Sequence, residues 1–495
     1  MKRIGNSAGG SGAEGPAWRS GGADTGKRDS ARTARTGRTG RRPAVVGLAV
    51  IGAISMAACS SGGSSGSGGS GTGSSGGHVT ITVGCEPPKT QAAQRQFFVQ
   101  DIQLFEKANP NITVKGDDTN PCDDPATFNA KLASGKLDNV FYTYFTDAAN
   151  VIGSGQAVDI AKYASQVKNL SSLQPDLVNL YRQGGSSSGD LYGVPVSNYT
   201  LGLLYNKSLF QRAGLNPNQP PTTWDQVRAD AKKISALGHG IVGYGDYSAA
   251  GVGGWHFTAE MYSLGGTMVS GQKAAFDNAT GMQLLQNLQA MRWTDNSMGS
   301  KQLLQYNDLP QMMGSGKLGM YVAAPDNVTY IHQEYGSSYT NLAEGPMPGD
   351  GGTLLGGDGY MFSKKDTPAQ IQAGIKFLNF EFLTPGAGQF NYKRAKAAGQ
   401  PVGLPEPNIW TAGTSVAQST KSDEDSNATI PVSNFAPYLN AAPNMKNEIE
   451  PPQAQAIYAQ GDKVMAAVLT QRNANLKQLL NTFSSQVNSI LANQQ

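Results

Sequence analysis

Residues 78–84 read His-Val-Thr-Ile-Thr-Val-Gly and open the part of the chain that can fold. Apolar Val79, Ile81 and Val83 alternate with Thr, and this period of two predicts a β-strand. Residues 91–109 then carry apolar side chains at helical spacing until Pro110. The fold therefore begins with a strand followed by a helix.

The same alternation continues downstream. Residues 112–115 predict a second strand, residues 125–134 a helix, and residues 139–144 a third strand. Strands that alternate with helices form a parallel sheet covered on both faces, which is the α/β class. In such sheets ligands bind beyond the carboxyl ends of the strands.

Charge separates the N-terminus from the rest of the chain. Residues 1–58 hold 10 Lys and Arg and 3 Asp and Glu, so the remainder holds 29 and 33, a net charge of −4. A mildly acidic body argues against a nucleic-acid partner, which would require clustered positive charge.

The N-terminal region has the order of a sorting signal. Residues 1–42 are rich in Arg, Gly, Ser and Thr, and residues 44–58 form an apolar run that is short for a membrane span. The run ends Ser-Met-Ala-Ala before Cys59, which resembles a bacterial lipobox, where the Cys is diacylated and becomes the mature N-terminus. Residues 60–77 contain only Ser, Gly and Thr and predict a flexible tether. The alternative is an uncleaved membrane helix.

The other two cysteines, Cys85 and Cys122, follow the first and second predicted strands. Adjacent parallel strands would bring these ends together, so we expect a disulfide outside the cytoplasm, with two free thiols as the alternative. We expect no metal site, because none of the four His shares a ligand spacing with a Cys. The acidic residues at 117, 118, 123 and 124 lack the spacing of a calcium loop. No cofactor is expected.

Several stretches resemble extracellular solute-binding protein family 1, which includes maltose- and oligosaccharide-binding proteins. The most specific is Leu-Tyr-Gly-Val-Pro at 191–195, followed by Leu-Leu-Tyr-Asn-Lys at 203–207 and Pro-Pro-Thr-Thr-Trp-Asp at 220–225. Residues 105–114 and 128–138 resemble earlier landmarks of the family, and residues 316–320 and 356–357 resemble later ones.

The resemblance implies a two-lobe, type II periplasmic-binding-protein-like fold whose lobes close on a ligand by hinge motion. The chain should cross between lobes near 197–200, near 356–358 and after about 406. Lobe one is then expected at 78–197 and 358–410, and lobe two at 198–357 and 411–495, after a signal peptide at 1–58 and a tether at 59–77.

Candidate ligand-binding residues follow from where a cleft should lie, because a sugar site needs aromatic faces and planar polar groups. They are Glu86 and Gln91 after the first strand, Tyr144 and Phe145 after the third, Asn198 and Tyr199 at the first crossing, Trp255 and His256 in a Gly-rich loop, Asp326 after the strand near 316–320, and Asp358 at the second crossing. Tyr142 and Tyr144 share a strand face, so the alternative is that both lie in the core; of this cluster, Tyr144 and Phe145 are the favoured candidates. Each candidate has a structural alternative, such as a Trp packed under a loop.

The expected function is capture of a small solute, a mono- or oligosaccharide, for the permease of an ATP-binding-cassette importer, by a monomer anchored outside the cell membrane through Cys59. The protein is not expected to be an enzyme. Gly-x-Ser-x-Gly occurs at 185–189, but also inside the tether at 62–66, and neither follows an apolar strand. The alternatives are a lipid-anchored glycosidase, which needs two carboxylates at a set separation, and the ligand-binding partner of a membrane sensor.

Overall fold

Alternating strands and amphipathic helices form the folded body, as a computed structural model shows. The structure describes residues 77–89, 92–119, 125–185, 189–248, 252–406 and 408–492. The predicted signal segment, most of the tether, Cys59, Gln91 and Cys122 lie outside these residues. None of the helices in the described part of the chain combines the length and hydropathy that a membrane crossing requires.

The strands of the described residues are β1 Val79–Gly84, β2 Ile112–Asp117, β3 Val140–Tyr144, β4 Gly193–Thr200, β5 Gly202–Asn206, β6 Val242–Tyr244, β7 Val269–Ser270, β8 Lys273–Ala274, β9 Leu318–Ala323, β10 Leu342–Pro346, β11 Thr353–Phe362 and β12 Asn447–Ile449. The α-helices are α1 Ala92–Ala108, α2 Pro125–Ser134, α3 Phe145–Gly153, α4 Pro175–Asn179, α5 Lys207–Arg212, α6 Trp224–Ser235, α7 Val252–Ser263, α8 Ala279–Trp293, α9 Asp308–Gly314, α10 Asp326–Tyr335, α11 Pro368–Phe382, α12 Tyr392–Ala397, α13 Ser415–Asn427, α14 Ala436–Ala441, α15 Ala454–Thr470 and α16 Leu476–Ala492.

The first sheet has the strand order β12-β11-β3-β1-β2, and β4 pairs with the other edge of β11. The predicted parallel arrangement is confirmed for β1, which pairs in parallel with β2 and with β3. The antiparallel pairing of β11 with β3 and with β4 was not predicted, so the sheet is mixed. Its side chains form one of two hydrophobic cores.

The second sheet has the order β10-β5-β9-β6 and carries the second hydrophobic core. Strands β5 and β9 are fully buried, as expected for a sheet with helices on both faces. Helix α6 packs beside β6. Its start has the predicted capping box: the Thr223 side chain accepts from the Gln226 backbone N–H, and the Gln226 side chain accepts from the Thr223 backbone N–H. These features confirm a two-lobe fold in which each lobe has its own main sheet and its own core, and β7 and β8 form a separate two-stranded sheet against the second core.

Strands β4 and β11 pair with each other where the chain passes between the two hydrophobic cores. Strand β4 leads from the first core towards β5, and the start of β11 returns from the second core, with Leu354 in the second and Leu355 in the first. The two strands pair antiparallel, Tyr199 opposite Gly356 and Asn198 opposite Gly357, with a register shift after Asp358. We call this pair the hinge ribbon. A β-bulge such as this one bends the strand that contains it.

Candidate functional site

A cavity of about 250 Å³ lies at the hinge ribbon, with walls from both lobes. This volume is near the lower end of the range for small-molecule pockets. The described residues that line the cavity are Tyr142, Tyr144, Ser197, Asn198, Tyr199, Val252, Trp255, Tyr306, Ala324, Pro325, Asp326, Asn327, Gly357, Asp358 and Glu406. It therefore lies where the predicted cleft was expected.

The first lobe contributes the end of β3 and the hinge ribbon. Tyr142 and Tyr144 meet edge to face with ring centroids 5.1 Å apart, and the Tyr142 hydroxyl donates to the Asp358 carboxylate over 3.1 Å. Gly357 has φ +149, and a Cβ there would lie 2.6 Å from the Ser197 carbonyl oxygen. Glycine is therefore needed at this point of the cavity wall.

The second lobe contributes the first turn of α7 and the start of α10. Trp255 lies in a helix rather than in the expected Gly-rich loop, and its indole stacks on the His256 ring at 5.4 Å. His256 in turn lies 4.5 Å from the ring of Tyr247, which stacks on Tyr306 at 5.4 Å. Two lining rings, Trp255 and Tyr306, are thus joined through two buried ones.

His256 itself is fully buried and cannot contact a solute in this structure. Its Nε2 faces the Val322 carbonyl oxygen at 3.1 Å, so Nε2 carries the proton, and its Nδ1 lies 2.7 Å from Asp246. Burial lowers the pKa of His256 to about 4 and raises the pKa of Asp246 well above its usual range. A protonated Asp246 carboxyl that donates to Nδ1 satisfies both atoms. His256 therefore contributes to the cavity wall only by packing against the Trp255 ring.

Phe145 and Glu86 also lie away from the cavity. The Phe145 side chain is 5 % exposed and packs edge to face on Tyr181 in the first core, because α3 begins at Phe145 and turns its side chain inward. Glu86 forms a 2.8 Å ion pair with Arg95 beside β1, which is separated from the hinge ribbon by β3. Neither Phe145 nor Glu86 lines the cavity, contrary to the expectation from the sequence. Gln91 lies outside the described residues.

Six predicted residues come together in the lining: Tyr144, Asn198, Tyr199, Trp255, Asp326 and Asp358. Sequence reasoning favoured Tyr144 and Phe145 over Tyr142, and it did not find Tyr306 or Glu406. Tyr306 follows no strand and belongs to no periodic pattern, so only the tertiary stack with Tyr247 brings it here. The signal for Tyr142 was present, since it alternates with Tyr144 on one face of β3.

Two polar atoms of the lining residues are buried without a hydrogen-bond partner among the described residues: Asn198 Oδ1 and Trp255 Nε1. Both side chains are more than nine-tenths buried. A buried polar atom without a partner is unfavourable, so these two atoms can be satisfied by a solute that offers one donor and one acceptor.

Several carboxyl groups lie at or near the cavity and act on its tyrosines. Burial raises the pKa of the Tyr199 hydroxyl well above its usual range, and the carboxylates of Glu450, Asp326 and Asp358 add to the rise. Burial raises the pKa of Glu450 to about 7 and that of Asp147 to about 6. No group of His, Cys, Asp and Glu in the described ranges has the arrangement needed to hold a metal ion.

The fold and the sequence both match known proteins. Residues 88–387 match the family model described as bacterial extracellular solute-binding protein. The sn-glycerol-3-phosphate-binding periplasmic protein UgpB of Yersinia pestis is 30% identical over 151 residues, 30% of this chain and 33% of that protein. The chain thus spans about a third of the length of this curated relative.

Solved structures cover nearly the whole folded body. The cyclic alpha-maltosyl-1,6-maltose binding protein of Arthrobacter globiformis has TM-score 0.64 and 22% identity over 84% of this chain and 100% of that one. The GacH receptor of Streptomyces glaucescens has TM-score 0.63 and 18% identity over 84% and 98%. These likenesses show the fold. Because the family model covers more than half of the chain, the protein belongs to the bacterial extracellular solute-binding proteins.

Proposed function

We propose that the protein captures a hydroxyl-rich solute, a mono- or oligosaccharide, in the hinge cavity and delivers it to an ATP-binding-cassette importer. The observation that carries the proposal is the composition of the cavity. Aromatic rings from both lobes supply apolar faces, and Asn198 and Trp255 supply buried polar atoms without partners. A solute that touches both lobes binds the closed arrangement more tightly and so shifts the lobes towards it.

The lobe boundaries are part of this proposal. The hydrophobic cores change between Val196 and Leu201, between Leu354 and Leu355, and between Val416 and Ile430. We place the three crossings there. The first two form the hinge ribbon, and the chain lines the cavity at Glu406 before it reaches the third.

A thermal-shift screen of the purified protein against a carbohydrate panel tests the function. A solute at 100 times its dissociation constant should stabilise the native state by about 2.7 kcal/mol and raise the melting temperature. A panel in which no carbohydrate shifts the melting temperature, while another solute class does, would reject the sugar assignment. Release of reducing sugar from oligosaccharides would instead support the glycosidase alternative.

The membrane anchor is a second element of the proposal. Diacylation at Cys59 would hold the protein firmly, since a single acyl chain gives only marginal binding. We expect Cys59→Ser to move the protein from the membrane fraction to the soluble fraction, as seen by immunoblotting after cell fractionation. Ser60→Ala, the neighbouring substitution, should leave it on the membrane. A Cys59→Ser protein that stays on the membrane in alkaline wash would contradict lipidation and favour the uncleaved helix.

The proposed Cys85–Cys122 disulfide fits the ends of the first two strands. Strands β1 and β2 pair in register up to Gly84 opposite Asp117, and Cys85 follows directly with φ +73. Cys122 comes five residues after the end of β2. The bridge would fasten the loop after β2 to the carboxyl edge of the sheet.

A further inference from the structure

We infer that the solute carries a positive charge: the cavity takes a hydroxylated amine, such as an amino sugar, in preference to a neutral sugar or a phosphorylated one. The inference rests on the proposed function, because it names the class of solute for the same cavity. It is carried by the combination of aromatic rings and carboxylates in one lining.

The charged side chains of the described lining all have one sign. Asp326, Asp358 and Glu406 contribute carboxylates, whereas no Lys, Arg or His is among the lining residues that the structure describes. Residues 249–251 and 407, which adjoin described residues in sequence, read Ala-Ala-Gly and Pro and contain no cationic side chain. A cation is attracted to such a site, and an anion is repelled, most strongly where water is displaced.

The aromatic part of the lining suits the same charge. Five rings border the cavity: Tyr142, Tyr144, Tyr199, Trp255 and Tyr306. The face of an aromatic ring is electron-rich, and it attracts an ammonium group within about 6 Å, with Trp the strongest partner. Neutral sugars also stack on such faces and donate hydroxyl hydrogens to carboxylates, but only a cation adds a charge–charge attraction to these contacts.

The helix terminus at the cavity does not favour an anion. Helix α10 begins with Asp326, so the positive end of its dipole already has a carboxylate beside it. An empty helix N-terminus would bind phosphate, but here Asp326 occupies that position, and its Oδ1 accepts from the Asn327 side chain at 3.2 Å.

The two buried polar atoms without partners indicate which hydrogen-bonding groups the solute should offer. Asn198 Oδ1 is an acceptor and is suited to an N–H or O–H of the solute. Trp255 Nε1 is a donor and needs an oxygen acceptor, such as a hydroxyl. An amine that also bears hydroxyls provides both kinds of group.

Matched solutes test the inference. Glucosamine, galactosamine and mannosamine are each compared with glucose, galactose and mannose by calorimetry and thermal shift on the full-length protein, with glucose 6-phosphate as the anion. We expect at least one amine to bind tenfold or more tightly than its neutral counterpart, with an affinity that falls as salt rises. Glucose 6-phosphate should not bind.

Variants separate charge from structure. Asp326→Asn and Glu406→Gln should each lower the affinity for the amine about tenfold and reduce its salt dependence, while the affinity for the neutral sugar changes less. Asp350→Asn, on an exposed loop outside the lining, should change neither. Neutral sugars that bind as tightly as the amines would overturn the inference and leave the proposed function standing. A panel in which nothing binds would overturn both.

Discussion

Gly254→Ala is expected to destabilise the protein by about 3 kcal/mol, because it forces two helices apart. A Cβ at Gly254 in α7 would lie 2.2 Å from the carbonyl oxygen of Tyr458 in α15, and one at Gly461 would lie 2.7 Å from the Gly254 Cα. The helix backbones are therefore in direct contact. Backbone atoms cannot rotate away as side chains do, so the whole of α7 must shift.

Urea unfolding followed by circular dichroism measures this loss. Gly153→Ala at the end of α3 is the control, because nothing lies within 4 Å of its added Cβ. It should change the free energy of unfolding by less than about 1 kcal/mol. A Gly254→Ala protein as stable as the wild type would show that the two helices do not pack at this distance. Because Trp255 is the next residue, we also expect weaker solute binding.

Trp255→Ala should lower the affinity for the solute at least about 100-fold, which corresponds to about 3 kcal/mol. The indole forms part of the cavity wall from the second lobe and is held there by the stack on His256. The substitution removes the ring face and the Nε1 donor together. It also costs packing, because Trp255 is 8 % exposed, so the unfolding free energy must be measured beside the affinity.

Two milder substitutions distinguish a loss of solute binding from a loss of stability. Trp255→Phe retains a ring and loses Nε1, and should lower affinity about tenfold with stability closer to that of the wild type. Trp224→Phe is the matched control in the same lobe, since Trp224 is buried and its Nε1 donates to Ser263 Oγ over 3.0 Å, away from the cavity. It should lower stability and leave affinity unchanged. Wild-type binding by both Trp255 variants would remove this residue from the site.

The local features of the fold could be predicted from the sequence. The apolar alternation of β1, the end of α1 before Pro110 and the Thr223 capping box each depend on residues close together in the chain. The pairing of β4 with β11 joins residues more than 150 positions apart, such as Tyr199 and Gly356, and no local pattern encodes it. For this reason the sheet was expected to be parallel and is mixed.

Only the part of the candidate site that lies at strand ends and crossings could be predicted from the sequence. Tyr144, Asn198 and Asp358 line the cavity and lie where strands end or cross, whereas their contact with a solute stays a prediction. Phe145 and His256 follow lining residues directly in sequence, yet a helical turn of about 100° per residue carries their side chains into the cores. Position along the chain indicates the neighbourhood, whereas side-chain direction depends on the element that begins there.

The pairing of β4 with β11 also bears on the proposed closure of the lobes. Separate linkers would let the lobes slide and twist independently, whereas a hydrogen-bonded pair of strands is expected to bend as one flexure, about an axis near the pair. Atoms near such an axis travel little when the lobes rotate, and atoms far from it sweep the largest arc. Asn198 and Gly357 belong to the paired strands themselves. A solute in contact with them would therefore touch residues that move little during closure, while the wall that contains Trp255 moves over the solute.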